Sequence, residues 1–246
     1  MTPRSSSLLA AAGLAVLLVG SLSACATTSP EPGSTGDSDS GAGAVTEAEV
    51  DAAWLDAGRM IGIVTQGSST CVPIADAATV SSAGVLEVTL VDPPDDAVCT
   101  ADMAPRVTVV AVPEGVDPSQ DLEITVTGDG YRGDTDLDGM VGATPPSGET
   151  DYLPSAGWVD DDAFVILTWG SSTCVPSIEG IEVTAPDAVM VTFAEPEADQ
   201  MCTMDMAPRA VLAVAGEDLE DDAPVTLTLT GGGPAFETPV TTTILG

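Results

Sequence analysis

A serine nucleophile needs a base, and this chain contains no histidine, while its five basic residues are all arginine. The hydroxyls of two GSSTCVP segments, Gly67 to Pro73 and Gly170 to Pro176, therefore lack a partner to take their proton, which excludes triad chemistry. Paired carboxylates are the other route to hydrolysis. With 39 Asp and Glu, however, close pairs arise by chance, and three Trp, two Tyr and three Phe leave few rings to stack sugars. The residue inventory reads as that of a protein that is not an enzyme.

Binding chemistry has three candidates. Asp134, Asp136 and Asp138, followed by Gly139, resemble the start of an EF-hand-type calcium loop, where alternating oxygen ligands suit a hard cation. The twelfth position is Pro145 in place of the bidentate Glu, with Glu149 or Asp151 as substitutes, and no helices flank the segment. That departure favours a solvated acidic turn at a strand end, so no cofactor is expected, with calcium the one possible ligand. Met201, Met204 and Met206 around Cys202 are thioethers of the kind that hold copper(I). Only Met103 answers them earlier in the chain, opposite Met206, so that pair reads as core and the other two as adaptable filler. Asp102 with Arg106, and Asp205 with Arg209, place two arginines at the same motif position. They are candidates to face a ligand, weighed against an Asp that satisfies turn donors and an Arg paired with a nearby carboxylate. Arg132-Gly133-Asp134 spells an adhesion tripeptide, too short a string to carry an argument.

These residues sit in a duplication. GSSTCVP at 67–73 overlays 170–176, and CTADMAPR at 99–106 overlays CTMDMAPR at 202–209, every offset being 103. Cys71, Cys99, Cys174 and Cys202 permit three pairings, and the repeat selects Cys71 with Cys99 and Cys174 with Cys202. Closing such a loop is worth about 3 to 4 kcal/mol in the chain-entropy model.

Positioning falls to strands. Met60 to Thr65, Val85 to Val91, Val107 to Val112 and Leu122 to Thr127 are rich in Val, Ile and Thr, and the second half repeats them at Phe164 to Trp169, Ala188 to Phe193, Ala210 to Ala215, Val225 to Thr230 and Val240 to Leu245. LEITVT and VTLTLT alternate in period two, as antiparallel strands with one wet face do. One short helix is expected from the capping-box spacing at Thr46 to Glu49, ending near Gly58. Trp54 and Trp158 precede each half's first expected strand and read as caps on the core edge. The fold expected is all-β, two tandem immunoglobulin-like antiparallel β-sandwich domains at 46–140 and 155–246, joined by a Pro-containing linker at 141–154.

The N-terminus carries Arg4, then thirteen apolar or small residues from Leu8 to Gly20, then Leu22-Ser23-Ala24-Cys25. That order reads as a signal peptide at 1–24, its core shorter than the roughly 20 residues that span a bilayer. LSAC resembles the lipobox of bacterial lipoproteins, which implies cleavage before Cys25 and lipid on that cysteine, a stable hold once two or more chains are attached. It also accounts for the odd fifth cysteine. Residues 25–45, rich in Ser, Gly, Pro and Asp, read as a tether spanning roughly 25 Å as a coil.

A net charge of −34 excludes nucleic acid as a partner, since nothing here can neutralise phosphates. Val- and Thr-rich halves with a GSSxC segment followed by CTxDxAP resemble uncharacterised secreted or lipid-anchored proteins of high-GC Gram-positive bacteria, a likeness that implies location and carries no activity. The expectation is a lipoprotein at the extracytoplasmic face of the cell membrane, held there through Cys25. It is read as a non-catalytic binding or interaction module with a protein or cell-wall ligand. The alternatives are a passive acidic envelope component and a calcium-binding surface protein.

Overall fold

Alternating residues decide most of the strands. In the computed structural model, which describes residues 45–94, 96–216, 219 and 223–246, the chain is all-β. The first half supplies β1 (Thr46–Glu47), β2 (Val50–Leu55), β3 (Met60–Gly67), β4 (Ile74–Val80), β5 (Leu86–Val91), β6 (Ala104–Ala111), β7 (Leu122–Gly128) and β8 (Tyr131–Leu137). The second supplies β9 (Ser155–Asp160), β10 (Ala163–Gly170), β11 (Ile178–Ala185), β12 (Ala188–Phe193), β13 (Ala207–Val214), β14 (Thr226–Gly231) and β15 (Phe236–Leu245). The signal segment, Cys25 and nearly all of the tether lie outside the described residues.

In β5, LEVTLV, every second side chain is buried, so a period-two sequence yields one dry face. Leu86, Val88 and Leu90 meet Ile124 and Val126 of β7, and across the core Trp54 of β2 with Ile61 and Ile63 of β3. The second half repeats this with Val189, Val191 and Phe193 of β12, Leu227 and Leu229 of β14, and Phe164 and Ile166 of β10. The strand orders are β2-β3-β6, β1-β8-β7-β5-β4 and β11-β12-β14-β15-β9-β10-β13.

The pairing is mixed where an antiparallel arrangement was expected: β5 with β7, β12 with β14, β1 with β8 and β15 with β9 all run parallel. The reason is connection length. Between β5 and β7 the chain first crosses to β6 in another sheet, and a crossover of that kind returns it in the same direction.

The expected helix over Thr46 to Gly58 is absent. β1 and β2 occupy that stretch, because Val50, Ala52 and Trp54 face one core while Ala53 and Leu55 face another, and burial on both sides outweighs the helix-forming alanines. A 3-10 turn closes the β2–β3 hairpin, with Asp56, Ala57 and Gly58 at φ of 49°, 54° and 85°. Trp54 and Trp158 are not caps ahead of the first strand. Trp54 lies within β2, its side chain in the first core and its Nε1 donating to the Asp138 carbonyl at 2.9 Å, and Trp158 lies within β9, edge-on to Phe164.

A third core joins the halves. Ala53, Leu55 and Val64 from the first pack on Val165 and Leu167 from the second, with Val107, Val109, Ala210 and Leu212 beside them. This is why β3 and β10 are buried almost continuously and show no wet face. Gly62 and Val165 occupy the same position of the repeat, and a Cβ on Gly62 would lie 3.1 Å from the Val165 methyl. Val64 and Leu167, also equivalent positions, belong to the same core. Strands β2, β3 and β6 thus share a core with β10 and β13 of the seven-stranded sheet.

Candidate functional site

Each half carries an arm built from its two motifs. A disulfide joins Cys71 to Cys99 in the first and Cys174 to Cys202 in the second. Thr100 is the hub of the first arm: its amide donates to Thr70 Oγ1 at 3.0 Å, and its hydroxyl lies 2.9 Å from Ser68 Oγ and donates to Asp102. Asp102 also accepts from the Ser69 amide at 3.2 Å. The second arm repeats the set with Thr203, Thr173, Ser171, Asp205 and the Ser172 amide.

Hydrogen bonds from Thr100 and Ser69 hold the Asp102 carboxyl down at about 2, and those from Thr203 and Ser172 do the same for Asp205. A carboxylate that weakly basic is a poor general base for a serine near neutral pH.

Among the described residues, Arg106 and Arg209 form no ion pair with a carboxylate. Arg106 donates through Nη1 to the Cys71 carbonyl at 2.6 Å and through Nη2 to the Gln66 carbonyl at 3.4 Å. Arg209 does the same to Cys174 at 2.8 Å and Trp169 at 3.0 Å. Each guanidinium lies over a glycine, Gly67 or Gly170, where any side chain would collide with it. The first glycine of GSSTCVP is thereby explained as the floor under an arginine. Burial lowers the Arg209 pKa from its ordinary value, against the pull of Asp205.

Between the arms runs a groove of about 730 Å³. Arg106 and Arg209, Val72 and Val175, and Ile74 are among its lining, together with further residues of β6 and β13. Among the described residues, none that lines it is acidic. Ile74 is 68% exposed and Val175 51%, so apolar surface is open to a ligand. A second cleft of about 690 Å³ lies beside Met140, Trp158 and Pro224, with no charged side chain among its described lining residues.

Other candidates are dispersed. Asp134 and Asp136 lie on β8, a strand and not a loop; Asp134 accepts from Thr125 Oγ1 at 2.6 Å and pairs with Arg132 at 3.0 Å. Asp138 follows the strand, and its carbonyl holds Trp54. Among the described residues no three His, Cys, Asp or Glu side chains gather as a metal site. Met103 and Met206 are not core: they are 77% and 62% exposed, and Met201 and Met204 are exposed as well. They flank loops ahead of β6 and β13 that have no covering layer.

The groove was missed by motif reasoning, yet it had a signal. Residues 67–75, 103–113, 170–178 and 206–216 are acid-free stretches in a chain with 39 Asp and Glu, and they supply its walls. Comparison with protein-family models, curated proteins and solved structures finds no match to this chain.

Proposed function

We propose that this chain is a lipoprotein, anchored through Cys25 at the outer face of the cell membrane, whose folded part is a non-catalytic binding module. In this reading each half is an immunoglobulin-like sandwich, and the groove between the two arms is the ligand site. The observation that supports it most is the groove itself: a largely apolar channel with no carboxylate among its described lining residues, in a protein of net charge −34, bordered by matching residues from both halves. Apolar surface walled by rigid, disulfide-clasped arms suits recognition with little reorganisation.

The test is photocrosslinking in intact cells from a benzophenone side chain at position 74, with position 45 on the opposite edge as reference. A saturable adduct from position 74, competed away by the soluble chain from residue 26 onward, supports a binding module. Equal, non-competable adducts from both positions would instead mark a passive acidic envelope component. Release of the protein from membranes by Cys25→Ala checks the anchor.

A further inference from the structure

Among the described residues the sheets end in six edge strands: β1 and β4, β2 and β6, β11 and β13. Edge strands expose unpaired backbone groups and invite pairing with another chain, and charged side chains are a common guard. Four of the six carry one or more carboxylates: Glu47 on β1, Asp51 on β2, Asp76 on β4, and Glu179 and Glu182 on β11. β6, APRVTVVA, and β13, APRAVLAV, carry none. The one charge on each of these strands, Arg106 or Arg209, is turned onto a cysteine carbonyl, and both strands contribute residues to the groove. Pro105 and Pro208 block pairing only at the start of each strand.

Resting on the groove as the ligand site, we infer that its occupant is an extended, apolar polypeptide segment of another protein, which adds as a strand to the edge of β6 or β13 and carries basic residues on its flanks. Backbone hydrogen bonds to the edge supply affinity, and Val72, Ile74 and Val175 take the alternate side chains. The charge argument fixes the flanks. At −34, the surface around a groove whose own charges are two arginines held by backbone carbonyls attracts basic flanks and repels a second copy of the same chain.

The probe is a synthetic peptide of alternating valine and threonine with lysines at both ends, titrated into the soluble chain from residue 26 onward. Expected is saturable one-to-one binding that weakens as salt rises. It should fall roughly tenfold in Ile74→Asp with Val175→Asp, two exposed positions, and be unchanged in Val45→Asp. Unfolding curves for the variants confirm that the fold is kept. The same peptide N-methylated at alternate residues, which cannot complete a strand ladder, should bind at least about tenfold more weakly. Equal binding of the methylated peptide would overturn strand addition while leaving the groove as the site. Binding that ignores the Ile74 and Val175 changes would overturn the groove as well. Concentration-dependent dimerisation abolished by Ile74→Asp would replace the basic partner with a second copy.

Discussion

The arms and the seam have diverged differently between the two halves. In the arms the donor and acceptor pairs recur residue for residue, down to the arginine bonded to a cysteine carbonyl. At the seam, equivalent positions differ in size, and the difference is complementary: Gly62 leaves the room that Val165 fills. Groups that must satisfy one another within a half hold each other fixed, whereas facing surfaces have only to fit jointly. The likeness of the arms is not complete. Thr108 donates to the Pro73 carbonyl at 2.8 Å in the first half, and its counterpart in the second is Val211, which has no donor.

The sharpest way to break this contrast is at Trp54. Trp54→Ala should cost about 4 kcal/mol by emptying the first core. Trp158→Ala, at a half-buried ring, should cost less, as chemical denaturation of both variants would show. Next, removing either disulfide as a Cys→Ala pair should cost about 3 kcal/mol, with equal losses from the two halves because both enclose 28 residues. Unequal losses would mean that the arms are not equivalent supports. Complementarity at the seam is tested by exchange. Gly62→Val and Val165→Gly should each destabilise by about 2 kcal/mol, by overpacking and by a cavity, and the double variant should recover much of the loss in a double-mutant cycle. Thr108→Val should cost about 1 kcal/mol, since the Pro73 carbonyl loses its donor.

The smallest effect is acidic. With Asp102 and Asp205 held at about 2 against an ordinary 3.8, their contribution to stability is complete above about pH 4 and is lost as the pH falls toward 2. Wild type should therefore outlast Asp102→Asn in thermal melts above that window, the two converging near pH 2.

Strands with one buried face were legible in the sequence because the pattern is local: LEITVT lies in β7 with alternate residues buried. The cysteine pairing was legible because duplication removed the ambiguity among three connectivities. The 46–58 stretch was not, since its spacing fits a helix until a second half covers the outer face of β2. Exposed methionines were equally hidden, because an apolar side chain in a loop gives no sign that nothing packs over it. The aspartates of β8 had the right chemistry for a cation, but sequence spacing does not report that Arg132 and Thr125 already occupy Asp134.

The meeting of Gly62 with Val165 also bears on history. A duplicated ancestor whose halves were still alike would have placed the same residue on both sides, either two glycines with a void or two valines in collision. Once the two sides became unequal, a return to one copy would leave a face shaped for a neighbour that no longer exists. The inequality acts as a ratchet: it makes loss of either copy progressively harder to tolerate, so the doubled form persists even if only one arm is under selection.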